Sequence, residues 1–188
     1  MLPWPSDRYL AVKAGNRTGY TLAYNQEAAW SNVYGFAVDF EPFKRGDGFS
    51  PSSQILTIFA EPADLSAAAF WDSIERSEAD DHPTVLLDVA SGERLPHWVE
   101  NDARATDPDE TVLFIRPLTR LEPNRQYAVA IRGLNGMSGD ALEASPAFAA
   151  LRDNVETTNA KIESRRRSYE TMFDALDDAG IERSELQQ

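Results

Sequence analysis

With 188 residues, 42% of them hydrophobic and 10% aromatic, the chain is long enough for one substantial core and an appendage. Thirty-one acidic residues against 18 basic ones give a formal charge of −13, a field that repels phosphate backbones and anionic headgroups and so argues against nucleic acid and membrane surfaces as partners. The lack of cysteine excludes disulfides, thiolate nucleophiles and cysteine-ligated zinc, and no apolar run approaches the roughly 20 residues of a membrane helix.

The start, Met1-Leu2-Pro3-Trp4-Pro5, lacks the basic and apolar regions of a signal peptide, so export implies a signal already removed. Residues 1–53 are rich in Pro, Gly, Asn and aromatics with short apolar runs, which predicts a loop-rich wrap pinned by its rings. Trp4, Trp30 and Tyr34 are either packing anchors or a platform for carbohydrate or polymer.

Regular structure is predicted from Gln54 to Phe59, an apolar, β-branched run closed by Pro62. Ala67, Phe70, Trp71 and Ile74 share one face of an alanine-rich segment capped at Asp64 or Ser66, which predicts a crossover helix over 66–76. Thr84–Val89 is a strand, Gly92 supplies a tight turn, and Leu95–Val99 is expected to return antiparallel, with Pro96 marking an edge. A turn at Asp107–Glu110 precedes the strand Thr111–Pro117. In Gln126–Arg132, Tyr127, Val129 and Ile131 alternate with small or polar residues, the pattern of a half-buried strand.

This last stretch, with Arg116-Pro117, the Leu121-Glu122-Pro123 turn, Tyr127–Ile131 and Gly133, Gly136 and Gly139, resembles a bacterial immunoglobulin-like repeat. The resemblance implies a Greek-key β-sandwich over 54–150, with the Tyr127 hydroxyl bonded to backbone. Over a longer span, Leu2–Tyr9, Asp47–Leu56, Gly92–Trp98 and Phe148–Asp153 resemble the N-terminal region of large exported bacterial proteins in which an α/β-hydrolase of the lipase or esterase type follows. That resemblance implies an exported location and, as partner, a catalytic portion downstream in the same protein or on a companion chain.

From 151 to 188 the chain turns helical. Ile162, Tyr169, Met172, Phe173, Leu176 and Ala179 form one stripe, which predicts an amphipathic helix over 158–180, capped by Thr157 or Thr158, closed by Gly180 and free to dock on a partner. Arg165, Arg166 and Arg167 are expected to solvate its outer face. Ser184 and Gln187 have capping-box spacing, which predicts a helix opening at the end of the chain and hence a fragment, a proteolytic product or one half of a longer protein.

Catalytic signatures are sparse. Gly48-Phe49-Ser50-Pro51-Ser52 lacks the second glycine of a nucleophile elbow, and Pro51 removes the amide that helps build an oxyanion hole. His82 reads as part of an acidic linker and His97 as part of an edge strand. His97, Glu100 and Asp102 match no helical zinc spacing, Asp107, Asp109 and Glu110 lack a full calcium loop, and the glycines 133, 136 and 139 precede no phosphate-binding lysine. The sequence therefore nominates no catalytic, cofactor-binding or metal residue. Three functions compete: a non-catalytic accessory portion of a hydrolase, an immunoglobulin-like surface-binding module, and a self-contained esterase using Ser50 or Ser52 with His97.

Overall fold

The computed structural model describes residues 3–188; Met1 and Leu2, and with them the first residue of the Leu2–Tyr9 match, lie outside the described residues. In the N-terminal region β1 (Leu10–Val12) and β2 (Tyr20–Leu22) form an antiparallel pair. β3 (Ile55–Ile58), β4 (Thr84–Asp88), β5 (His97–Asn101), β6 (Val112–Pro117) and β7 (Tyr127–Ile131) follow, then α1 (Pro146–Arg152), α2 (Ala160–Glu163) and α3 (Arg166–Asp178). The strands join as β3-β6-β5 and β4-β7, all antiparallel, so the protein is β-rich with few helices. Among the described residues no helix is long and apolar enough to cross a membrane.

The β4-β7 pair is a middle layer. Leu86 and Ile131 meet Ile55, Val99, Leu113 and Ile115 of the three-stranded sheet in one core, with Tyr127 and Val129 packed against it. Val85, Leu87, Ala128 and Ala130 meet Phe173, Leu176, Ile181 and Leu186 in a second core on the opposite face. Strand β7 is therefore covered on both faces rather than half-buried as its alternation predicts. Its alanines leave room for α3 to approach.

α3 ends as its sequence dictates. Gly180 takes φ +78°, Gly180 N donates to Asp177 O and Ile181 N to Leu176 O, and Ile181 packs on Leu176, the Schellman arrangement. Its start departs from expectation. Asn159, not Thr157 or Thr158, caps α2 by accepting from Lys161 N (3.0 Å), and the helix breaks at Ser164–Arg165. Thr157 instead gives its N–H and hydroxyl to Glu163, both at 2.9 Å. The Arg166 guanidinium, and with it these two bonds, hold the Glu163 carboxyl down at about 2. Two of the three arginines expected to solvate the outer face are tied to the protein: Arg166 also binds Val155 O (2.9 Å), and Arg165 binds Arg8 O (3.0 Å) and Asp7 (3.4 Å).

Three further expectations fail because partners distant in sequence claim the groups involved. No α-helix forms over 66–76, because side chains and a neighbouring strand claim the main chain there. Ala69 N donates to His82 Nε2 (2.8 Å), Phe70 N to Ser73 Oγ (3.1 Å), Arg76 binds the Ala67 carbonyl (3.1 Å), and Val99 N takes Ala69 O (3.0 Å). Only a 3-10 helix at Ile74–Glu78 remains, leaving Phe70 and Trp71 exposed. The turn at Gly92 forms, but the return strand leaves β4 after the Leu87–Arg94 bridge and β5 pairs with β6 instead. Pro96 has no N–H to continue the ladder, its carbonyl accepts from Leu118 N (2.9 Å), and β5 is an edge as predicted. Finally, Ser184–Gln187 builds no capping box. The Gln187 amide is buried, accepting from Leu134 N (2.9 Å) and donating to Leu134 O (2.8 Å) and Leu142 O (2.6 Å), while Leu186 bridges to Arg132 beside β7.

Candidate functional site

A cleft of about 1470 Å³ separates the N-terminal region from the sheets and the C-terminal helices. Its floor includes Ile55, Thr57 and Val129; Phe49 and Pro51 stand on one wall, and Ile162, Tyr169 and Met172 on another. That volume exceeds the roughly 300–1,000 Å³ of a small-molecule pocket, which fits a polypeptide better than a metabolite. Arg8, Arg17, Arg120, Arg125, Lys161 and Arg165 line it against Asp7, Asp47 and Glu122, so its walls are net positive in a chain of charge −13. The N-terminal wall is fastened to β3 by paired backbone bonds between Trp4 and Leu56 (2.9 and 2.7 Å), and to α3 by Ser168 Oγ donating to Asp7 (2.9 Å). Gln188 also lines the cleft, its side chain accepting from Thr57 Oγ1 at 2.8 Å.

Ser50 borders this cleft, but neither histidine does. Its hydroxyl accepts from Ser52 N (3.3 Å), the ordinary bond of a serine turn. His82 and His97 are instead buried together, 3% and 0% exposed, with ring centroids 5.7 Å apart, which sequence reasoning placed in a linker and on a strand. Because Ala69 N–H donates to His82 Nε2, the His82 proton sits on Nδ1 and points to Thr84 O (2.7 Å). His97 Nδ1 donates to Leu95 O (2.8 Å), so its Nε2 accepts from the Thr84 hydroxyl (2.8 Å). All four ring nitrogens are thereby engaged in neutral rings. Burial pushes both pKa values down, that of His97 to about 4. The pair organises structure: His82 holds the 66–76 segment and His97 N donates to Ser77 Oγ (3.0 Å). The available sequence signal was position, since His82 directly precedes Pro83 and an entirely buried strand.

The remaining candidates disperse. Glu100 pairs with Arg116 (2.6 Å), and Asp102 accepts from Arg104 N (2.9 Å), leaving His97 alone. Asp107 is held above its ordinary range by the Asp109 carboxyl bonded to it. Among the described residues no group of three or more His, Asp or Glu is placed to hold a metal ion. Trp4 stacks edge-on to Phe49 (6.0 Å) and Trp30 to Phe40 (5.9 Å), whereas Tyr34 stands 82% exposed, so the three rings form no single platform. Comparison with known proteins gives no match among family models, curated proteins or solved structures.

Proposed function

We propose that this chain is the non-catalytic N-terminal portion of an exported bacterial hydrolase of the lipase or esterase type, and that its cleft packs against the catalytic portion, further along the same protein or on a companion chain. The observation that carries this reading is the cleft itself: large, apolar-floored, cation-walled and bordered by a serine with no histidine beside it. The body reads as an immunoglobulin-like Greek-key sandwich, supported by two sheets packed on one core and by Tyr127 Oη accepting from Glu122 N at 2.8 Å, an upstream backbone bond of the kind such domains make. Cationic walls favour a partner surface that carries acidic side chains around an apolar centre.

The isolated chain is expected to leave p-nitrophenyl butyrate unhydrolysed above the buffer rate, and Ser50→Ala to change nothing. Turnover abolished by Ser50→Ala would make the chain a self-contained esterase and end this reading.

A second reading, a surface-binding module, is favoured by Trp30, Tyr34 and Phe36, which are 61%, 82% and 72% exposed within one short loop. The two readings part on which surface a partner covers, Met172 in the cleft or Trp30 outside it.

A further inference from the structure

Strand β7 has one occupied edge and one open one. Arg132 N donates to Pro83 O (2.9 Å) and Val89 N to Gln126 O (3.1 Å), so the even-numbered residues of this strand turn their main-chain groups toward β4. Those of Tyr127, Val129 and Ile131 therefore point to the opposite edge. There the Ile131 groups are taken by the last residues of the chain: Gln187 N donates to Ile131 O (2.7 Å) and Ile131 N to Gln188 O (2.9 Å). These contacts are the first rungs of an antiparallel strand. Beyond them, among the described residues, β7 pairs with β4 alone, and Tyr127 and Val129 face the cleft with no strand beside them.

An open edge inside an apolar cleft is an unusual place to leave N–H and C=O groups, because such edges are normally covered, charged or twisted away. The geometry points to an extended peptide segment as the occupant of the cleft, adding as an antiparallel strand to the free edge of β7 in line with Leu186–Gln188. The inference rests on the cleft being the packing surface proposed above and names the contact made there. Side chains of the added strand alternate between the core that holds Ile55 and Ile115 and the face that holds Phe148 and Tyr169, so the segment is apolar on both sides. Backbone bonds supply affinity in this mode and the alternating pockets supply selectivity.

The test is amide hydrogen exchange at Tyr127 and Val129, measured on the 188-residue chain alone and after adding, in trans, the proposed catalytic portion, either any polypeptide that the reading frame encodes after Gln188 or a companion chain. Binding with strong protection of both amides supports the added strand. Binding that leaves the two amides exchanging as before overturns it and leaves the proposed function standing. Binding by neither candidate overturns both. Val129→Pro removes a donor on the open edge and spares the bonds to β4, so it is expected to weaken binding roughly ten-fold. Should that variant fail to fold, exchange on the unaltered chain decides the matter.

Discussion

Acidification from neutrality to about pH 4 is expected to remove about 3 kcal/mol of folding stability through His97 alone. Unfolded, this imidazole takes a proton near its ordinary value of 6.5; folded, with no water around it and both nitrogens engaged, it resists until about 4. Between those values the unfolded chain binds a proton that the folded chain excludes. Stability is thus fully present above 6.5 and falls as pH drops toward 4. His82 acts in the same direction, its pKa also depressed by burial. Carboxylates such as Glu163, held at about 2, start to lose their contribution only as pH falls below about 4.5, so they add to the loss at the acid end of this range. Urea midpoints measured across this range give the slope, and His97→Gln should flatten it. A midpoint that is constant from 6.5 to 4 would mean that the two rings are not buried as a neutral pair.

Replacing Phe173 with alanine is expected to cost about 4 kcal/mol, a fall in Tm of roughly 10 °C. The ring is 3% exposed in the core with Val85, Leu87 and the β7 alanines; it touches Tyr169 and Phe148, and Arg183 lies over it at 4.1 Å. By spacing alone, Tyr169, Met172 and Phe173 belong together on a surface offered to a partner. In the folded protein the stripe divides. Phe173 and Leu176 border the cleft but close the protein's own second core, while Met172, half-buried, lines the cleft without entering that core. Met172→Ala should therefore change stability by less than about 1 kcal/mol, the contrast expected when only one of two neighbours is in the core. Equal, small losses at both positions would mean that α3 does not pack on the sheet.

Local signals located the strands because their information is local. Ile55–Ile58, Thr84–Asp88, Val112–Pro117 and Tyr127–Ile131 are apolar runs bounded by prolines and turn residues, and Gly92 and Gly180 sit where positive φ is needed. What escaped was decided by distant partners. No window around Leu95–Val99 contains β6, which captures β5 once Pro96 interrupts the ladder with β4. The alanines of 66–76 favour helix until His82 and Val99 take their main-chain groups. The two histidines, 15 positions apart in sequence, become neighbours only through Thr84, and the cleft draws its walls from segments more than a hundred residues apart.

The chain contains no cysteine, so Met172→Cys places a single thiol in the cleft. Its alkylation rate, with and without a catalytic portion supplied from the same protein or a companion chain, tests most directly whether this cleft is a packing surface. The account requires rapid labelling of the chain alone and suppressed labelling once the second polypeptide is present. Equal rates in the two samples would contradict it.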